Sequence, residues 1–170
     1  MKNNMMIDSK FIINSAMIAA AYIALNYITT LLSLSFGAIQ FRLSEALNIL
    51  AALTPAAIPG LTVGCLISNI SSPFGIIDIV LGTLATLLSA ILINLIGKLN
   101  IRAMPLLAAI PPTVLNGIAV AIFSVFFTDG DATIINFILT FSSVAISEFI
   151  ICTLLGTAVF ATCKKYSLFK

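Results

Sequence analysis

The sequence predicts an all-α polytopic membrane protein: one domain, residues 1–170, forming a bundle of six transmembrane helices with both termini in the cytoplasm. Hydrophobic residues make up 61% of the 170 positions and charged residues 8%, whereas soluble domains carry about 25% charged residues. Long apolar runs alternate with short polar loops, and at about 20 residues per span the chain has room for about six spans. This composition excludes a soluble globular protein, a disordered chain and a nucleic-acid binder, and it leaves no room for an ATP-binding domain.

The apolar segments, taken in order, give six predicted spans. The first is uncharged from Phe11 to Phe36, which is longer than the apolar core of about 7–15 residues in a signal peptide. The second and third are short and are interrupted by Pro55 and Pro59, so one re-entrant hairpin is the alternative. The predicted spans cover about 11–35, 39–54, 56–70, 76–96, 104–127 and 133–161.

Basic residues set the predicted orientation, because cytoplasmic loops are rich in Lys and Arg. With six spans, both termini and the second and fourth loops share one side. That side holds Lys2, Lys10, Lys98, Arg102, Lys164, Lys165 and Lys170. The opposite side holds Asp129 and Asp131. The sequence therefore predicts a plasma-membrane protein with cytoplasmic termini.

A few polar residues fall within the apolar blocks. A charged side chain costs about 2.5–3.5 kcal/mol or more at the centre of a lipid-exposed helix, so such residues should face the bundle interior or a cavity. The six-span arrangement brings most of them toward one cavity in the outer half of the membrane. The candidate substrate-binding residues are Arg42, Glu45, Asn69, Asp78, Asn116 and Glu148.

Charge counting indicates which ligand this cavity suits. Arg42 and Glu45 are three residues apart and are expected to meet on one helix face. Asp78 and Glu148 then lack a basic partner, and a buried unpaired carboxylate takes a proton or binds a cationic, donor-rich group. The plainer interpretations are an interfacial anchor for Arg42, a helix N-terminal role for Asp78, and hydrogen bonding between helices for the two asparagines.

Small residues and prolines mark places where helices approach closely or open. Ala16, Ala20 and Ala24 form a flat stripe on the first span, which fits packing inside the bundle or docking to a separate membrane subunit. Gly60 and Gly64 have a small-xxx-small spacing in the third segment. The pair at 111–112 is Pro-Pro and is expected to free backbone carbonyls near Asn116.

The cysteines predict no metal site. Cys65, Cys152 and Cys163 lie in apolar runs without CxxC spacing, and the chain has no His. They are interpreted as small lipophilic side chains, and no cofactor is expected.

Several short runs resemble a known family. They are QFRLSEAL at 40–47, PAAIPGL at 55–61, GCLISN at 64–69, GIID at 75–78 and GTLATL at 82–87, with Asn-Gly at 116–117 and Ser-Glu at 147–148. On these runs, over about residues 11–165, the chain resembles the substrate-binding S components of energy-coupling factor (ECF) vitamin transporters, and more narrowly the QueT family. Ser147 stands where a glycine is expected in that pattern.

The resemblance implies binding of a queuosine precursor, either queuine or 7-aminomethyl-7-deazaguanine. It also implies a partner module of one transmembrane coupling protein and two ATPase subunits, with the alanine stripe docking on the coupling protein. ATP hydrolysis would belong to those partners, so this chain is not expected to be an enzyme or to bind nucleic acid.

The expected site roles follow from the ligand's chemistry. Glu148 or Glu45 would accept from the guanine-like edge, and Asp78 or the other glutamate would meet the cationic arm. Arg42 would pair with a carboxylate or donate to the base carbonyl, and the two asparagines would bond the ring. The aromatic residues considered for stacking on the base are Phe41, Phe74 and Phe123.

Other functions are weighed against this one. An S component for another donor-rich or cationic small molecule fits the same residues, and so does a stand-alone proton-coupled carrier that uses Asp78 and Glu148. An intramembrane enzyme ranks low, because there is no His and no evident nucleophile with a base. A structural subunit would explain the alanine stripe but would leave the buried acids without a role.

Overall fold

A computed structural model describes residues 9–33, 41–72, 75–99, 101, 103–127 and 133–169. The described residues form helices and turns, with no strand among them, which confirms the all-α prediction. Five α-helices and one 3₁₀ helix, η1, follow each other along the chain. They are α1 (Ser9–Leu31), η1 (Leu43–Ala52), α2 (Ala57–Asn69), α3 (Gly75–Gly97), α4 (Met104–Phe127) and α5 (Ile134–Tyr166).

Four of these helices are long and apolar enough to cross a membrane, namely α1, α3, α4 and α5. The other two are short. Ten residues of η1 at 2.0 Å per residue and 13 residues of α2 at 1.5 Å per residue each span about 20 Å, less than the bilayer core of about 30 Å. The chain is therefore a multi-pass membrane protein with four helices that can cross the bilayer. The count of six full spans stays a prediction.

Successive elements alternate in direction. The Leu43 amide lies 3.4 Å from the Thr29 hydroxyl, so η1 turns back from the end of α1. The α2 helix then runs parallel to α1, because Ser15 donates to the Ala56 carbonyl at 2.9 Å and the hydroxyls of Tyr27 and Ser71 are 3.4 Å apart.

The beginning of α1 and the end of α5 consequently lie at the same end of the bundle. The described basic residues at that end are Lys10, Lys98, Lys164 and Lys165. Which face of the membrane this end occupies stays a prediction. The orientation argument also used Lys2, Arg102, Asp129, Asp131 and Lys170, which lie outside the described residues.

The η1 segment occupies the centre of the bundle. Every residue from Ser44 to Ala51 is buried, and η1 packs against all five α-helices. Arg42, before it, has an extended backbone with φ −100° and ψ 98°. The Arg42 side chain, just before η1, reaches Asp78 near the start of α3, and Ala52 at the end of η1 packs against Gly97 at the end of α3.

Close packing of α1 on α2 confirms the prediction from the glycine spacing. A Cβ on Gly64 would lie 2.8 Å from the Cβ of Tyr22, and one on Gly60 would lie 2.7 Å from the Ser15 carbonyl oxygen. Ala19 is buried on this side of α1. The predicted stripe of Ala16, Ala20 and Ala24 is instead exposed on the outer surface of α1.

The bundle is apolar outside and polar inside. Large apolar side chains such as Ile76, Leu139 and Leu154 are well exposed. A soluble monomer rarely exposes so much contiguous apolar surface, whereas lipid tails solvate it. The buried polar and charged side chains include all six candidate site residues: Arg42, Glu45, Asn69, Asp78, Asn116 and Glu148.

Candidate functional site

Arg42 pairs with Asp78. The guanidinium Nη2 lies 3.6 Å from Asp78 Oδ2, and both side chains are less than one-tenth exposed. This distance describes an ion pair without a hydrogen bond, and Oδ2 has no hydrogen-bond partner among the described residues. Arg42 is expected from the sequence to pair with Glu45 and to leave Asp78 without a basic partner, but among the described residues its ion pair is with Asp78 instead.

Glu45 lies deeper, at the centre of a hydrogen-bond network. Its Oε1 accepts from the Tyr22 hydroxyl. Its Oε2 accepts from Asn48 Nδ2 at 2.6 Å and from Asn116 Nδ2 at 3.3 Å. Three donors from three elements therefore stabilise one carboxylate, which is 1% exposed.

Asn116 links Glu45 to Glu148. Its Nδ2 also donates to Glu148 Oε1, at 3.1 Å, so one amide group bridges two carboxylates. Glu148 Oε2 has a weaker partner in the Cys152 thiol at 3.7 Å. Glu148 is thus much less well supplied with hydrogen-bond donors than Glu45.

A cavity lies between these two groups of charges. Its walls are formed by residues of α3, α4 and α5 together with Arg42: Arg42, Asp78, Leu81, Gly82, Asn116, Ala119, Val120, Phe123, Val144 and Glu148. The cavity has a volume of about 10 Å³, which is room for about one water molecule. A two-ring base therefore requires the walls to move apart.

The structure brings four of the six predicted residues to this cavity and places two behind it. Arg42, Asp78, Asn116 and Glu148 line the cavity. Glu45 reaches it through Asn116. Asn69 supports the wall instead, because its Nδ2 lies 3.3 Å from the Asp78 backbone carbonyl and 3.4 Å from Cys65 Sγ.

Two further expectations concern the aromatic residues of the cavity and the proline pair in α4. Phe123 lines the cavity, Phe41 is not among its lining residues, and Phe74 lies outside the described residues. Pro111 and Pro112 free the carbonyls of residues 107 and 108, one helical turn earlier, and neither of those residues lines the cavity. The expectation that these carbonyls line a cavity near Asn116 is therefore wrong.

All three cysteines are free thiols. Cys65 and Cys152 are buried and Cys163 is partly buried. Within the described ranges no group of three or more His, Cys, Asp and Glu side chains is arranged to hold a metal ion.

Sequence reasoning missed two residues that shape the site, Tyr22 and Cys152. Tyr22 is 1% exposed and donates to Glu45. The sequence contains a pattern that points to Tyr22: it shares a helical spacing with two other polar residues, Asn26 and Thr29. All three are buried on one side of α1. Cys152 follows Glu148 by four residues and therefore lies on the same face of α5.

A lipid-compatible exterior, buried charges and a small internal cavity are typical of a polytopic membrane protein with a polar site inside the bundle. The chain belongs to the QueT transporter family, whose model, described as "QueT transporter", matches residues 12–165. One similar protein is "Queuosine precursor transporter QueT" of Lactococcus lactis subsp. cremoris, 42% identical over 76 residues. That match covers 45% of this chain and 44% of the relative. No solved structure matches the chain.

Proposed function

We propose that this protein binds a queuosine precursor, queuine or 7-aminomethyl-7-deazaguanine, with high affinity in the cavity between α3, α4 and α5. The observation that carries the proposal is the set of buried charges on the cavity wall: Arg42 with Asp78 on one side and Glu148 on the other. Membership of the QueT transporter family and the name of the Lactococcus relative support the choice of ligand.

The Arg42–Asp78 pair is complementary to the edge of a guanine-like base. That edge presents a carbonyl oxygen, a ring N–H and an amino group side by side. A guanidinium can donate to the oxygen, and the adjacent carboxylate can accept from the two nitrogen donors. Asp78 Oδ2 has no hydrogen-bond partner among the described residues and so has capacity to accept one.

Glu148 then meets the positively charged aminomethyl arm. Among the carboxylates on the cavity wall it is the one without a guanidinium beside it. Asn116 bonds the ring or the arm, and Phe123 offers an aromatic face for stacking. This assignment reverses the expected roles of Asp78 and Glu148. It moves Glu45 and Asn69 from ligand contact to support of the residues that touch the ligand.

Binding is tested by titrating purified protein with 7-aminomethyl-7-deazaguanine. Asp78→Asn and Glu148→Gln are each expected to weaken binding at least about tenfold, or 1.4 kcal/mol, because each removes a buried charge from the contact. Thr157→Val is the control, since Thr157 is exposed on the same helix as Glu148. Unchanged affinity in both site variants would contradict the proposal.

We further propose that the chain acts as the S component of an ECF importer. Energised uptake then requires a coupling protein and two ATPases, and α1 provides the docking surface. Ala16, Ala20 and Ala24 support this part, because all three are exposed on the outer surface of α1.

Uptake by cells with and without the ATPase subunits tests the S-component proposal. Uptake that persists without them would favour the stand-alone proton-coupled carrier. Ala20→Leu is expected to abolish uptake while leaving ligand binding unchanged. Ala158→Leu, on the exposed surface of α5, is the matched control and should change neither.

A further inference from the structure

We infer that Glu148 carries a proton in the ligand-free protein and releases it when a ligand with one positive charge binds in the cavity. The ligand class rests on the proposed function, whereas the protonation of Glu148 rests on the contacts of the side chains. Ligand and proton thereby exchange at one site.

The two bridged glutamates differ in their hydrogen-bond donors. Glu45 accepts from the Tyr22 hydroxyl and from the amides of Asn48 and Asn116. Glu148 accepts from one N–H of Asn116 and from a thiol 3.7 Å away. Several donors favour the ionised form of a carboxyl group, so the negative charge belongs on Glu45.

The surrounding charges make a second negative charge unfavourable. Among the described residues, the titratable or charged groups that share the cavity or the hydrogen-bond network with Glu148 are Arg42 before η1, Glu45 on η1, Asp78 on α3 and Cys152 on α5, with Tyr22 on α1 bonded to Glu45. Arg42 is the one cation in this set, and it is paired with Asp78. Two nearby carboxylates in a low-dielectric interior disfavour double ionisation, so one proton resides on Glu148.

A cationic arm on the ligand favours the ionised form of Glu148, because it places a positive charge beside the carboxyl group. When an ammonium group approaches the Glu148 carboxyl, the carboxyl O–H bond breaks and the proton passes to solvent. The carboxylate then accepts from the N–H groups of the ammonium. Because Glu148 lies on the cavity wall, the ligand reaches this side chain directly. Glu45 keeps its three donors throughout.

Calorimetric titration in buffers of different ionisation enthalpy counts the protons. Release of about one proton is expected for 7-aminomethyl-7-deazaguanine, with affinity rising about tenfold per pH unit while the free protein holds the proton and the amine keeps its charge. The 7-ethyl analogue, of similar shape but uncharged, should bind more weakly without releasing a proton. Tight binding of the charged base with no proton release would overturn the inference while leaving the proposed ligand intact.

Infrared spectroscopy of the ligand-free protein tests the proton without any ligand. The carbonyl band of a protonated carboxylic acid is expected in the wild type and in Ser147→Ala. Ser147 is a buried neighbour whose hydroxyl bonds the backbone carbonyls of Ser143 and Val144. The band should be absent in Glu148→Gln. Its absence from the wild type, or its survival in Glu148→Gln, would overturn the inference whatever the protein binds.

Discussion

Two regions of the polar interior accommodate buried charge in different ways. Beside α3, Arg42 and Asp78 neutralise each other, but at 3.6 Å they form no hydrogen bond. Between α1, η1 and α4, Glu45 forms no salt bridge with any described residue but accepts three hydrogen bonds. We refer to these as the ion-pair region and the hydrogen-bond region.

The two arrangements suit different roles. An ion pair without hydrogen bonds keeps donor and acceptor capacity, which a polar ligand can use. A carboxylate that already holds three donors has little capacity left and acts as a fixed negative charge. The first region therefore suits ligand contact, and the second suits positioning of Asn116 and Glu148. Four substitutions separate these roles.

The largest effect is expected in the ion-pair region. Arg42→Met leaves the Asp78 charge buried without a partner, which should cost about 3–5 kcal/mol in the free energy of unfolding. The double variant with Asp78→Leu should regain most of that stability but should not bind ligand. Thermal unfolding of the purified variants measures both. A single variant as stable as the wild type would show that the pair does not neutralise a buried charge.

A smaller loss is expected in the hydrogen-bond region. Tyr22→Phe removes one of the three donors to Glu45 and should cost about 1.5–3 kcal/mol, the range for a hydrogen bond to a charged group. Tyr27→Phe is the control on the same helix, since Tyr27 is exposed and its hydroxyl is 3.4 Å from Ser71. Equal effects of the two substitutions would contradict the network around Glu45.

Packing behind the hydrogen-bond region gives a third prediction. Gly64→Ala places a methyl group 2.8 Å from the Cβ of Tyr22, so α1 and α2 must separate, at a cost of about 1–3 kcal/mol. Gly156→Ala is the matched control, because its Cβ would lie 3.6 Å from the nearest atom, the Ala46 carbonyl oxygen. Unfolding temperatures of the two variants should differ clearly, and similar values would argue against close α1–α2 contact.

The smallest change in stability is expected beside the ion-pair region. A Cβ on Gly82 would lie 2.7 Å from the Asn69 amide nitrogen, which can move because it ends a flexible side chain. The higher helix propensity of alanine, about 1 kcal/mol, should offset most of the cost. Because Gly82 lines the cavity, Gly82→Ala should weaken ligand binding while changing the unfolding temperature little. A large loss of stability with normal binding would contradict this assignment.

Much of the helical architecture could be predicted from the sequence. The predicted segment 104–127 coincides with α4, and the segment 76–96 falls within Gly75–Gly97. Periodicity could not reveal that Leu43–Ala52, within the predicted segment 39–54, forms a 3₁₀ helix. Burial on all sides among five α-helices favours that thin, extended geometry, and burial on all sides depends on the packed bundle.

The amino-acid sequence alone establishes that this chain suits a lipid environment and that its few interior charges are its distinctive chemistry. Hydrophobicity and the cost of a charge in hydrocarbon are local properties, which each segment carries wherever it packs. How those charges pair depends on the packed bundle. Arg42 lies beside Asp78 and not Glu45, and Asn116 joins two glutamates that are 103 residues apart in the chain. Such contacts depend on helix direction and depth, which the bundle fixes as a whole.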